Sequence, residues 1–169
     1  MSPSPDVALV DVNEAILEQL LVLAVEDASP DEVTPPLGTG PGWDAERTAW
    51  FYAYHRAAVG LDGPAQEKSW AVLCDGKVAG SIRLKRTASP DNAGEASAET
   101  GIWLGRHHRG RGVGTAALRL VLEEARGAGM ERVVASTMAG NLGARGILAS
   151  VGAVLMFEGD GTVRAGVDL

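Results

Sequence analysis

The sequence predicts a mixed α/β domain, mostly antiparallel with one parallel strand pair. Three observations carry that prediction. A hairpin pattern flanks Asp75-Gly76 in the first half of the chain. In the second half a strand, a glycine-rich turn, an apolar-faced helix and another strand follow in order. The 169 residues are 46% hydrophobic, enough for one sizeable core and too few for a second folded domain, so residues 1–169 are read as a single domain.

The elements follow in order. Val7 to Val12 reads as a first strand. Asn13 is an N-cap for an apolar helix carrying Ile16, Leu17, Leu20, Leu21, Leu23 and Ala24, which ends before Ser29-Pro30. Asp31 to Gly42 is rich in Pro and Gly and reads as a loop. Asp44 caps a second helix, Ala45 to Val59, and Gly60 to Pro64 breaks it. Ser69 to Cys74 and Lys77 to Lys85 form the hairpin, because Asp-Gly suits a type I′ turn in which both central residues take positive φ. Thr87 to Glu95 is a polar loop and Ala96 to Leu104 a strand. Gly112 to Ala128 is a helix with Leu118, Val121, Leu122 and Ala125 on one face. Arg132 to Thr137 is a strand, Gly143 to Val151 a helix, and Ala153–Glu158 with Thr162–Leu169 a closing hairpin. The strand–helix–strand unit requires two parallel strands joined right-handedly.

Composition excludes several functions. The formal net charge of −7 argues against a general nucleic-acid or anionic-membrane binder and suits a cationic partner, or solubility alone. Cys74, the one cysteine, allows neither an internal disulfide nor a multi-cysteine zinc site, and its neighbours Val72 and Leu73 suggest a buried small residue. The start carries no basic region followed by an apolar run. The longest apolar stretch, Leu20 to Val25, falls far short of the about 20 residues that a span needs. A soluble, cytoplasmic protein is expected.

The chemistry is concentrated between Leu104 and Thr115, in Leu-Gly-Arg-His-His-Arg-Gly-Arg-Gly-Val-Gly-Thr. This stretch leaves an apolar strand and opens a helix. Its glycines let several backbone N–H groups converge on one anion, and the helix N-terminus adds unsatisfied donors and partial positive charge. Arg106, Arg109 and Arg111 gather charge on an otherwise acidic chain. A diphosphate cradle results. It is not a P-loop, because Thr115-Ala116 stands where Lys-Ser/Thr is needed, nor a Rossmann fingerprint, because Thr115 occupies the third glycine place. His107 and His108 have no third ligand nearby and read as loop residues near phosphate, with no metal site.

Through Arg109, Gly112 and Gly114 the loop resembles the acetyl-CoA loop Arg/Gln-x-x-Gly-x-Gly/Ala of the GNAT N-acetyltransferase superfamily. The two helices before the meander, the strand before the loop and the Asn141…Gly152 segment extend the resemblance over most of the chain. It implies a GNAT fold: a mixed, mostly antiparallel sheet whose parallel strand pair splays around acetyl-CoA, with helices on both faces. It also implies that the backbone of Ile102, Trp103 and Leu104 binds the acetyl and pantetheine end, the Leu104 N–H polarising the thioester carbonyl. Arg109, Gly110, Arg111, Gly112, Val113, Gly114 and Thr115 would hold the pyrophosphate, and Asn141 the pantetheine arm unless it is simply a helix cap.

Attack on a thioester needs a neutral amine, whereas amines with reference pKa values near 7.7–8.0 or about 10.4 are mostly protonated at pH 7. A general base is therefore expected. Glu99 resembles the glutamate that some members place on this strand, and alternation sets it on one face with Gly101 and Trp103; a surface or structural glutamate is the other reading. Where many members carry a general-acid tyrosine this chain has Leu148, and where some carry a glutamate it has Ser136. Thiolate release without a dedicated acid is feasible for a thiol pKa near 8.5.

The acceptor side is expected from the first two helices, their loop and the closing hairpin, where Glu26, Asp27, Asp31, Glu32, Asp44 and Glu46 accompany Trp43, Trp50, Tyr52 and Tyr54. Acidic groups beside aromatics suit a cation, although core aromatics and solvated carboxylates would read the same way. Further likeness to the small-molecule (aminoglycoside-type) and ribosomal-protein N-terminal branches points first to a small cationic amine, aminoglycoside-like or amino-acid-derived. A protein N-terminus is the alternative. A non-catalytic acyl-CoA-binding sensor is a third reading, favoured by the missing tyrosine. Exposed edge strands make a homodimer plausible.

Overall fold

The structure is a computed structural model and describes residues 4–37, 40–87 and 96–169. Its elements are β1 (Val7–Asp11), α1 (Glu14–Asp27), α2 (Pro30–Val33), α3 (Ala45–Ala57), β2 (Val59–Gly60), β3 (Glu67–Cys74), β4 (Lys77–Thr87), β5 (Ser97–Leu104), α4 (Val113–Gly127), β6 (Arg132–Met138), α5 (Leu142–Ser150), β7 (Val154–Phe157) and β8 (Thr162–Asp168). The helix starts follow side-chain chemistry. Asn13 Oδ1 accepts from the Ile16 N–H at 2.8 Å, and Asp44 Oδ1 from the Arg47 N–H at 2.8 Å. Asp75 and Gly76 take φ of 51° and 81°, the primed turn expected of Asp-Gly.

Apart from shifts of one or two residues at other element ends, two segments differ from the sequence reading. Pro30 to Val33, within the expected loop, form one helical turn in which the Ser29 N–H donates to Glu32 at 3.3 Å. The second helix stops at Ala57, and Val59–Gly60 instead adds a short strand to β3, with Ala58 O accepting from the Ser69 N–H at 2.9 Å. Residues 88–95 of the expected polar loop lie outside the described residues.

The strands make one sheet in the order β1-β3-β4-β5-β6-β8-β7, with β2 paired to β3. Every pairing is antiparallel except β5 with β6. One core packs α4 and α5 on the sheet through Val113, Leu118, Val121 and Leu148 with Ile82, Leu84 and Val133. A second, on Leu17, Leu20, Phe51 and Ala71, joins α1 and α3, with Trp103 packed against it. Helices thus cover both faces. Along β5 the even side chains, Ala98 and Leu104, join the α4 core, and Trp103 points to the other side.

The feature that positions the site is the parting of β5 from β6. Their pairing covers only Ser97↔Arg132, Ala98↔Val133 and Glu99↔Val134. β5 continues against β4 to Leu104, so its last residues have β4 on one side and no strand on the other.

Candidate functional site

Backbone geometry first decides what the open edge of β5 can do. In an antiparallel ladder, residues alternate between exchanging both backbone bonds with the partner strand and directing them away. The Gly105 N–H donates to Ala79 O at 2.9 Å, and Ala96 O on the other side accepts from the Glu131 N–H at 2.7 Å. The register therefore turns the N–H groups of Ile102 and Leu104 and the C=O groups of Thr100 and Ile102 towards the gap where β6 has parted. A chain-like ligand in that gap would meet them as a neighbouring strand does, with the Leu104 N–H at the loop end.

Beyond Leu104, one 3₁₀ turn (Arg106–His108) leads into the glycine loop. Gly110 and Gly112 adopt φ of 71° and 82°, in the left-handed region that glycine enters without strain. Gly112 occupies the N-cap of α4 and has no side chain to cap it. The first paired N–H in the helix is that of Ala116, to Gly112 O at 3.1 Å, so those of Val113, Gly114 and Thr115 have no intrahelical partner. The macrodipole adds positive potential. Gly114 lies against Ile147 of α5, and the Thr115 hydroxyl against Ser150 Oγ at 3.1 Å. Three outward N–H groups on a helix start, flanked by Arg106 and Arg111, fit a diphosphate.

Arg109 behaves differently from its loop neighbours. Its Nε and Nη2 donate to Leu104 O at 3.0 and 2.8 Å, and Nη2 donates to Glu32 at 2.7 Å. Its side chain clamps the end of β5 to α2. Arg111 lies 3.9 Å from Asp75, and His107 pairs with Asp27. Asn141 Oδ1 accepts from the Ala144 N–H at 3.1 Å and so caps α5. Leu148 is buried at 8% exposure in the α4 core, and Ser136 is exposed on β6.

A cleft of about 490 Å³ opens on the opposite face of β5. Glu99, Gly101, Ile102 and Trp103 line it together with Glu32 and Pro35 after α1, Trp50, Tyr54 and His55 of α3, and Glu67, Arg83 and Lys85 of β3 and β4. Glu99 Oε1 accepts from Arg83 Nη2 at 2.9 Å, and Arg83 Nη1 lies 3.8 Å from Glu67. The Tyr54 hydroxyl donates to Glu67 at 2.7 Å. Burial and the Glu67 carboxylate push the Tyr54 phenol far up, so it stays protonated. Burial alone drives His55 down to about 4, leaving a neutral imidazole with Nδ1 2.8 Å from Ser69 Oγ. Trp50 stacks on Tyr54 with centroids 5.0 Å apart.

Only part of the expected acceptor side lines this cleft. Asp31 pairs with Arg47 at 2.9 Å, Asp44 is spent on its cap, Trp43 packs edge-on to Phe51, and Tyr52 donates to Glu18. The closing hairpin lies beyond β6 and contributes nothing to the cleft, because β8 pairs with β6 on the far side from β5. Glu67 and Arg83 were missing from the sequence reading. Their neighbourhood follows from the β3–β4 register, which sets Glu67 opposite Lys85 and Ser69 opposite Arg83.

A strand with one backbone edge exposed, a helix start with unpaired N–H groups at its end and a cleft on its other face together have the shape to take a long phosphorylated ligand. The family model described as the acetyltransferase (GNAT) family matches residues 30–153, and the chain belongs to that family. Membership makes acetyl-CoA the co-substrate. No curated protein sequence matches the chain. Solved structures share the fold. The GNAT domain of S. lividans PAT has 20% identity and a TM-score of 0.71, covering 98% of this chain and 90% of that one. RimJ of Mycobacterium smegmatis, in complex with CoA-disulfide, has 19% identity and a TM-score of 0.73, covering 98% and 83%. YncA of Salmonella typhimurium, described as a putative acetyltransferase with acetyl-CoA, has 15% identity and a TM-score of 0.66, covering 99% and 95%.

Proposed function

We propose that this protein is an N-acetyltransferase that moves an acetyl group from acetyl-CoA to the primary amine of a small cationic molecule. One observation supports this most directly: β5 alone carries both halves of the reaction. Its even residues offer backbone donors to the thioester in the gap, and its odd residues, Glu99, Gly101 and Trp103, reach the cleft. An amine in the cleft would approach the carbonyl across a single strand.

The roles follow from position. The pyrophosphate would rest on the N–H groups of Val113, Gly114 and Thr115 and on the Gly110–Gly112 turn. The Leu104 N–H would donate to the thioester oxygen as negative charge develops there. Glu99, directly or through one water, would take the proton that the ammonium must lose. Arg83 holds one oxygen of that carboxylate, and the other has no partner among the described residues. Glu67 and Glu99 balance Arg83 and Lys85 in the cleft lining, Glu32 being paired with Arg109, and Trp50 and Tyr54 add the aromatic faces that suit a cation.

The test is thiol release from acetyl-CoA against a panel of aminoglycosides, polyamines, amino acids and short peptides. The proposal expects release with one of the small cationic classes. Release only with peptides would move the acceptor to a protein N-terminus. Cofactor binding with no release from any amine would instead support a sensor.

A further inference from the structure

We propose that Asp27 and Glu32, two carboxylates on the acceptor-side helices, are positioning residues for the cofactor's diphosphate loop. The proposal rests on the acetyl-CoA reading above.

Asp27 ends α1, where a negative charge opposes the helix dipole and no basic residue accompanies it. Its carboxylate is nonetheless nearly buried, at 11% side-chain exposure. It is held by residues eighty positions away: the His107 N–H donates to Oδ2 at 3.0 Å, and His107 Nδ1 meets Oδ1 at 2.7 Å. The approach is possible because residue 105 is glycine. A Cβ there would lie 2.7 Å from Asp27 Oδ2 and 2.9 Å from Leu23 Cδ1.

Glu32 repeats the arrangement one turn further along. The same oxygen takes Arg109 Nη2 at 2.7 Å and the Ser29 N–H at 3.3 Å. Arg109 in turn forks onto Leu104 O, the last carbonyl of β5. Residues 104, 105, 107 and 109 are thereby fixed from outside, immediately before the glycines that must present their N–H groups together.

Electrostatics alone predicts the opposite effect. Two carboxylates beside an anion site repel a diphosphate and neutralise the cations that would attract it. If Asp27 and Glu32 acted only as charges, removing either would tighten CoA binding. If they hold the loop in shape, removal loosens it. The sign of the change decides.

The experiment measures CoA affinity by calorimetry on the full chain and on the Asp27→Asn, Glu32→Gln and Arg109→Lys variants, with the ligand-free melting temperature of each as a control. We expect Glu32→Gln and Asp27→Asn to weaken CoA binding about ten-fold, the size of one lost charge-assisted hydrogen bond, while the ligand-free melting temperature of Glu32→Gln hardly moves. Arg109→Lys should weaken it similarly although the positive charge is kept. The Glu32→Gln/Arg109→Lys double variant should be no weaker than the worse single one. Equal or tighter CoA binding in Glu32→Gln overturns the proposal. The Glu32 side chain is 41% exposed, so this variant keeps the test in force even where Asp27→Asn fails to fold. Failure of the wild-type chain to bind CoA would refute the acetyl-CoA reading itself, and the proposal with it.

Discussion

His55 lines the cleft at 4% exposure, wedged against Phe51 and Tyr54, and burial holds it neutral down to about pH 4. An unfolded histidine titrates near 6.5. Between those values the unfolded chain binds a proton that the folded chain refuses, so stability falls as pH drops from about 6.5 to 4, by roughly 3 kcal/mol. Urea midpoints for His55→Gln should lose most of that dependence; an unaltered slope would contradict the assignment. Glu99 belongs to the same scale. Glu99→Gln should depress kcat/KM most below the acceptor's amine pKa, where proton removal limits the reaction, and an unchanged profile would exclude it as the base. Strand alternation was enough to place Glu99 beside Gly101 and Trp103. Its partner Arg83 was not legible, because cross-strand neighbours depend on a register that local pattern does not specify.

At the scale of elements, the proposed cofactor site rests on the parting of β5 and β6 and on the left-handed glycines of the loop. Gly112→Ala would force a Cβ into φ near 82°, at a cost of about 1–2 kcal/mol, although nothing lies within 4 Å of that Cβ. The expected outcome is a modest drop in melting temperature with a larger loss of CoA affinity, measured on the same sample. Most elements were legible from their chemistry: Asn13 and Asp44 as caps, Asp75-Gly76 as a primed turn, and the apolar stripe of α4. The turn of α2 was not, because Pro30 to Val33 is short and sits among prolines and glycines. Its signal was present in Ser29-Pro30-Asp31-Glu32, an S-x-x-E capping pattern with proline at the first helical position. Recognising it would have given the helical turn, though not the contact of Glu32 with Arg109.

Across the whole molecule, the charge of −7 is distributed to specific purposes. Asp27, Glu32 and Asp75 each meet a basic residue of the glycine-rich loop, while Glu67 and Glu99 face the cleft. The net value suited a cationic partner or solubility alone, and it could not separate carboxylates committed to structure from those open to a ligand, since that division is made by tertiary contacts. No helix among the described residues is long and apolar enough to cross a membrane. The central claim is that the glycine loop and the free edge of β5 together hold acetyl-CoA, and thermal unfolding with and without acetyl-CoA tests it most directly. At about 100 times the Kd, binding should stabilise the fold by roughly 2.7 kcal/mol and raise the melting temperature by roughly 5 to 10 °C. An unmoved melting temperature at millimolar acetyl-CoA would contradict the account.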